Sequence, residues 1–182
     1  YKRQVFTLPG ASPSKIEKVH LLVNPFAGKK RGRAVAAQVV ELVERAGIEI
    51  TVSYSAYSGH LVTMASALEV GDHDIIAVVG GDGSLSEAIT GRMLLNGKRT
   101  ETFAIVPAGT GNSQAHDLRL GTPEEAVEAM LNGRRQALDL ARVELTEGLP
   151  GSTGEDIVRY SHNLVTWGLG VDSTIQAEKM RW

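Results

Sequence analysis

Apolar residues along this chain fall into two kinds of run that take turns. The first kind is short and unbroken: LLV within KVHLLVN (18–24), IIAVV within DIIAVVG (74–80) and FAIV within TFAIVP (102–107). Strands covered on both faces have this pattern, because neither face can be polar. The second kind has helical spacing. In RGRAVAAQVVELVERAG (31–47), Val35, Val39, Leu42, Val43 and Ala46 recur along one face, and Gly47 suits a C-terminal cap. IEITVSY (48–54) predicts a further strand; GHLVTMASALEV (59–70) and SLSEAITGRMLLN (84–96, ending near Gly97) predict helices. In TPEEAVEAMLNG (122–133), Thr122 is placed to cap a helix with Glu125 three residues on. Strands that alternate with helices predict an α/β fold around a parallel sheet.

The pattern changes near residue 136. QALDLARVEL and IVRYSHNLVTWGLGV are longer strand-like stretches, joined by the loop TEGLPGSTGED, which predicts an antiparallel hairpin. The expected organisation is a leader at 1–17, an α/β domain at 18–137 and the beginning of a β domain at 138–182. The chain starts without Met and ends on AEKMRW, so a longer parent is expected.

Composition narrows the chemistry. The 182 residues carry a formal charge of −2, which gives no global signature of nucleic-acid binding. There is no Cys, which removes disulfides, thiolate metal sites and Cys nucleophiles. No apolar run reaches the ~18 residues of a membrane span. No pair of histidines has metal-ligand spacing, and His60 reads as a helix-start residue. Gly is in excess, 20 residues, and gathers at a few points.

Those points are the ends of the strong strands: NPFAGKKRG (24–32), GGDGS (80–84) and PAGTGN (107–112). Ligands of an open parallel sheet bind beyond the carboxyl ends of its strands. Glycine lets backbone N–H groups turn toward an anion, and helix N-termini add partial positive charge. Lys29 and Arg31 could add more. Three such loops on one edge describe a polyphosphate cradle, although none meets the P-loop or dinucleotide fingerprint; each alone is also an ordinary strand-to-helix turn. Asp82 is the anomaly, an acid inside an anion cradle. It could hold Mg²⁺ against phosphates, accept the proton of an attacking hydroxyl, or hydrogen-bond its own turn. Glu87 is expected on the first turn of the next helix, where an acid also complements the helix dipole.

VNPFAGK, VVGGDGSLSE, PAGTGN and WGLGVDSTIQAEKMRW, in this order, resemble the diacylglycerol kinase catalytic-domain superfamily, and within it the sphingosine kinase and ceramide kinase branch. The resemblance covers roughly residues 18–182. It implies an N-terminal α/β nucleotide-binding domain, a C-terminal antiparallel β-sandwich that holds lipid, and transfer of the γ-phosphate of ATP, with Mg²⁺, to a lipid hydroxyl. Asp82 then matches the general base. ATP contacts fall on Asn24, Pro25, Gly28 and Lys29; on Ser55; on Gly80, Gly81, Gly83, Ser84 and Glu87; on Gly109, Thr110, Gly111 and Asn112; and on Arg181. Asp172, with Trp167 and Gly168, matches a stretch whose Asp lies near the lipid head group; an anion there suits a sphingoid ammonium. Asp172 also fits a helix N-cap, and Trp167 fits core packing. No metal ligands are assigned.

The chain departs from the pattern at Ala27, a common glycine, at Ser84, often Thr, and at Thr90, usually Asn in sphingosine kinases. Asp139 matches an Asp of diacylglycerol and ceramide kinases. The implied activity is that of a sphingosine kinase, with diacylglycerol kinase or ceramide kinase as the alternative. An NAD kinase-type enzyme or a non-catalytic nucleotide-binding module shares parts of the pattern. The expected setting is cytoplasmic, with peripheral membrane contact through a C-terminal part, and GKKRGR (28–33) is assigned to ATP instead of to anionic lipid.

Overall fold

The structure, a computed structural model, describes residues 16–96, 101–133, 135–145, 157–163, 165 and 176. The elements run β1 (Lys18–Val23), α1 (Ala27–Lys30), α2 (Gly32–Arg45), β2 (Glu49–Tyr54), α3 (His60–Ser66), β3 (Asp74–Gly80), α4 (Asp82–Met93), β4 (Thr102–Pro107), α5 (Ser113–Asp117), α6 (Pro123–Asn132), β5 (Ala141–Leu145) and β6 (Ile157–Ser161). Strands β1–β4 form one parallel sheet in the order β2-β1-β3-β4, and β5 and β6 form a separate antiparallel pair.

The continuous apolar strands are buried on both faces, as their pattern requires. On one face Val19, Leu21 and Val23 of β1 and Ile75, Ala77 and Val79 of β3 meet α2 and α6 through Val39, Val43 and Val127. On the other, Leu22, Ile76, Val78 and Ile105 meet α3, α4 and α5 through Leu61, Leu85, Ile89 and Ala115. β2 and β4 are the edge strands, and the exposure of β2 alternates. The two central strands send their chains to opposite faces, β1 into α2 and β3 into α4. That is a topological switch point, which opens a crevice at the carboxyl ends of β1 and β3.

The predicted elements are present with changed bounds. α4 begins at Asp82 instead of 84, α3 stops at Ser66, and β5 and β6 occupy only part of their predicted runs. The short helix α5 adds to the predicted set, and α1 is a single turn in which Gly28 and Lys29 hold non-helical dihedrals. Thr122 caps α6 through a full capping box with Glu125, and Gly47 takes a positive φ of 72° just past α2.

Two polar clusters pin the sheet and its helices. Arg92, buried at the last turn of α4, donates to Glu101 at 2.7 Å and to the carbonyls of Ala65 and Leu68, tying α4 to the end of α3. At the same, amino-terminal end of the strands, His20 Nε2 lies 3.0 Å from Asp74 Oδ2, and the Gly71 N–H donates to the same oxygen at 2.9 Å. Burial pushes the Asp74 carboxyl up, but the Gly71 N–H, His20 and Lys18 together outweigh it and hold it below its ordinary value.

A carboxyl whose pKa is lowered by folding stabilises the protein above its unfolded value, and the contribution is lost as pH falls through the folded value. Chemical denaturation should therefore show stability declining below about pH 4, and Asp74→Asn should flatten that decline; an unchanged slope would remove Asp74 from the acid response. Gly91 of α4 sits where an added β-carbon would overlap the Val62 carbonyl oxygen of α3. Gly91→Ala should cost about 1–3 kcal/mol in urea unfolding, and a cost near zero would show that the two helices do not make this approach.

Candidate functional site

Hydrogen bonding of the sheet continues past the strand ends and carries the three glycine-rich loops with it. The Asn24 N–H donates to Val79 O at 2.9 Å, and Ala108 and Gly109 donate to Gly80 O at 2.9 and 3.1 Å. Ser55, buried at the end of β2, donates its N–H to Val23 O at 2.8 Å. Each loop therefore starts from a fixed point, and the loops then pack on one another. A β-carbon at Gly28 would overlap the Ala108 carbonyl oxygen, and one at Gly109 would lie 2.6 Å from Gly81 Cα. Asn24 Nδ2 donates to Ser84 Oγ at 3.1 Å, and its Oδ1 accepts from the Phe26 N–H at 3.0 Å.

The first loop is strained. Gly28, Lys29 and Lys30 hold consecutive positive φ values of 50°, 61° and 66°. Glycine tolerates this region; each lysine pays roughly 1–2 kcal/mol for it. Arg31 Nε bonds the Gly28 carbonyl at 3.1 Å and braces the turn. Pro25 is buried beneath it, and the side chains of Lys29 and Lys30 are exposed. Strain of this kind persists where surrounding structure over-determines the backbone, and it gathers at functional sites.

Asp82 is the first residue of α4, after Gly81 in an extended conformation. Its carboxylate leaves its own loop. Oδ2 accepts from the Ser113 N–H and Oδ1 from the Gln114 N–H, both at 2.8 Å. These amides open α5, so the anion joins two helix N-termini, where negative charge is favoured. This explains how an acid is tolerated among these glycine-rich loops: its charge is balanced by amide donors at the start of α5, just past the third loop. The side chain stays 21% exposed. Gly83, Thr110 and Gly111 are exposed around it. Asn112 adopts a left-handed conformation ahead of α5 and donates Nδ2 to Gly109 O at 2.8 Å.

The antiparallel pair reaches the same carboxylate. Tyr160 N–H donates to Thr90 Oγ1 at 3.0 Å, and Ser86 Oγ lies 3.0 Å from His162 Nδ1. The His162 side chain is fully buried, with Nε2 at 3.9 Å from Asp82 Oδ1. Burial pushes the imidazole pKa down, and the Asp82 charge opposes that shift only in part. Among the described residues, the buried side-chain atoms that lack a hydrogen-bond partner are His162 Nε2 and Asn112 Oδ1. Both belong to residues gathered around Asp82, and unsatisfied buried groups in a native fold ask for an explanation.

Glu87 falls on the second turn of α4, not the first, because the helix starts two residues earlier than its pattern suggests. It lines a cleft of ≈ 300 Å³ with Gly83, Ser86, Thr90, Arg159 and Tyr160. The structure thus gathers Asn24, Gly28, Gly80, Gly81, Ser84, Gly109 and Asn112 with Asp82, and sets Glu87 in the neighbouring cleft. His60 starts α3 and accepts the Ala56 N–H on Nδ1 at 3.0 Å. Asp139 is exposed. Trp167, Gly168, Asp172 and Arg181 lie outside the described residues. His162 was missed by sequence reasoning, since no motif contains it; the alternation of Val158 and Tyr160 in β6, continued by His162 just past the strand, was the signal at hand, as all three are less exposed than Ile157 and Arg159.

Among the described residues no three His, Cys, Asp or Glu side chains come together as a metal cage, and both Asp82 oxygens are already engaged. Among them, too, no helix is long and apolar enough to cross a membrane.

The family model described as the diacylglycerol kinase catalytic domain matches residues 18–143. Sphingosine kinase 1 of Arabidopsis thaliana is 31% identical over 175 residues, 91% of this chain and 34% of the relative. Diacylglycerol kinase of Bacillus subtilis (strain 168) is 27% identical over 132 residues, 70% of this chain and 42% of the relative. A crystal structure of a diacylglycerol kinase from Bacillus anthracis str. Sterne superposes with a TM-score of 0.56 at 26% identity, over 71% of this chain and 45% of that one. The chain spans less than half the length of each of these relatives. By the match over most of its length, this chain belongs to the diacylglycerol kinase catalytic-domain family.

Proposed function

We propose that this chain carries the ATP-binding part of a lipid kinase, with residues 18–137 as the nucleotide domain and 138 onward as the beginning of the lipid-holding domain. The observation that carries the reading is the convergence of three strand-end loops on Asp82, with backbone amides and helix N-termini around it. Backbone N–H groups of Gly80–Ser84 and Gly109–Asn112 face the phosphates, with Asn24, Pro25, Gly28 and Lys29 closing the first loop over them. Ser55, Glu87 and Arg181 complete the nucleotide contacts. Mg²⁺ enters as part of the ATP complex and neutralises phosphate charge there.

Asp82 is the general base. A carboxylate offers about four lone-pair sites, and the Ser113 and Gln114 amides take two. The remainder suffices for a substrate hydroxyl. The proton passes from the lipid hydroxyl to the carboxylate while its oxygen bonds the γ-phosphorus; the bond to the bridging oxygen breaks, and ADP leaves. Because two backbone amides fix the carboxylate, it orients the substrate hydroxyl as it takes the proton. That suffices for a loose transition state whose catalysis is mostly positioning and electrostatics.

The acceptor is proposed to be the primary hydroxyl of a sphingoid base, with Asp172 pairing the substrate ammonium. The 31% identity to the Arabidopsis thaliana sphingosine kinase supports this reading. Diacylglycerol kinases with nearby identities keep diacylglycerol as the rival acceptor, and ceramide is the second.

Transfer of labelled γ-phosphate by the full-length parent to sphingosine, ceramide and diacylglycerol in micelles should mark one lipid. Asp82→Asn should lower kcat by about 10²–10⁴ while calorimetry shows ATP still bound; a mutant that keeps its rate overturns the assignment of the base. Gly109→Ala should push the third loop off Gly81 and weaken ATP binding about tenfold, or ~1.4 kcal/mol. Unchanged affinity would place the nucleotide elsewhere.

A further inference from the structure

His162 stands at the end of the second sheet, yet its free nitrogen looks at the acid of the first. Nδ1 is occupied by Ser86 Oγ at 3.0 Å. Nε2 is buried without a partner, 3.9 Å from Asp82 Oδ1. Since burial lowers the pKa of the ring, a neutral imidazole with one N–H is the form to place. A lone pair on Nε2 would point at an anionic oxygen and repel it. The tautomer that avoids this has the proton on Nε2 and a lone pair on Nδ1, which accepts the Ser86 hydroxyl. Ser86 is one turn from Asp82 on α4, and Thr90 one turn further bonds Tyr160 on both its N–H and its carbonyl. The docking that seats β6 thus also aims the ring.

We propose that His162 is a positioning residue for Asp82: its Nε2–H, oriented by Ser86, closes on Oδ1 and leaves Oδ2 as the oxygen that takes the substrate proton. This rests on the kinase reading above. Each oxygen accepts one amide, Oδ1 from Gln114 and Oδ2 from Ser113, but Oδ1 faces His162 while Oδ2 sits by exposed Gly111. The gap of 3.9 Å exceeds hydrogen-bond length by about 1 Å. A small closure of β6 onto α4 makes the bond, and the base is then held by three donors, two from the start of α5 and one from the residue after β6.

The test uses the full-length parent and two independent readouts. In phosphoryl transfer to its lipid, His162→Leu should lower kcat about tenfold or more, as expected for losing a donor to a charged group, with KM for ATP changed less than twofold. His162→Gln, whose amide can donate, should recover most of the rate, and in the Asp82→Asn background His162→Leu should have no further effect. A full rate in His162→Leu, or equal losses in the Leu and Gln variants with both folded, overturns the proposal. Long-range ¹H–¹⁵N NMR supplies the second readout, which needs no activity. The ring should be the neutral Nε2–H tautomer, and Asp82→Asn should shift its Nε2 resonance. An Nδ1–H ring overturns the placement even in an active enzyme. A parent that transfers phosphate to no lipid but shows the Nε2–H ring coupled to Asp82 overturns the kinase reading and leaves the Asp82–His162 contact supported.

Discussion

Asp82's hold on the first amides of α5 is the interaction on which the site depends. Without it, the second and third loops would meet only through the bonds to Gly80 O and the close approach of Gly81 and Gly109. With it, the N-termini of α4 and α5 share one anion and are drawn together instead of apart. The sheet supplies the second half of the constraint. Bonds from Asn24, Ala108 and Gly109 extend the ladder beyond the strands, so the loops inherit the rigidity of a core buried on both faces.

Much of this was legible in the sequence. Unbroken apolar runs announce strands covered on both sides, and the order of runs announces a parallel sheet, because both signals come from burial that the strand itself must satisfy. The glycine-rich ends of β1, β3 and β4 were equally readable, since close approach of backbones admits little else. The parts that stayed hidden depend on tertiary contact. The left-handed Lys29 and Lys30 contradict local preference, and the Ala108 carbonyl that forces Gly28 into place lies 80 residues away. The start of α4 at Asp82 follows from an anion partnered across the crevice, which moved Glu87 from the first turn to the second. β5 and β6 are shorter than their apolar runs, since a strand extends only as far as its partner.

His162 is the clearest case of information that local pattern carries weakly. The strand it follows alternates inward and outward, so the burial could be read, but not what it would face. Only the docking of β6 along α4 brings it to Asp82. The departure at Thr90 acquires a physical meaning in the same way. Its hydroxyl serves the Tyr160 backbone as both acceptor and donor, a role for a small hydrogen-bonding side chain at a tight helix–strand contact.

Asp82, Ser86 and Thr90 lie along one stripe of a single helix, at intervals of four residues, with the acid at its tip. A helix rises 1.5 Å per residue and resists bending, so the stripe is a rod about 12 Å long with the acid at one end and a strand contact at the other. Its far end is clamped by Arg92 to α3. A push from the second sheet is therefore delivered against a fixed pivot and arrives at the crevice as displacement of the acid. Whatever fills the space beside that sheet would be mechanically coupled to the Asp82 end of the crevice, with no moving loop in between.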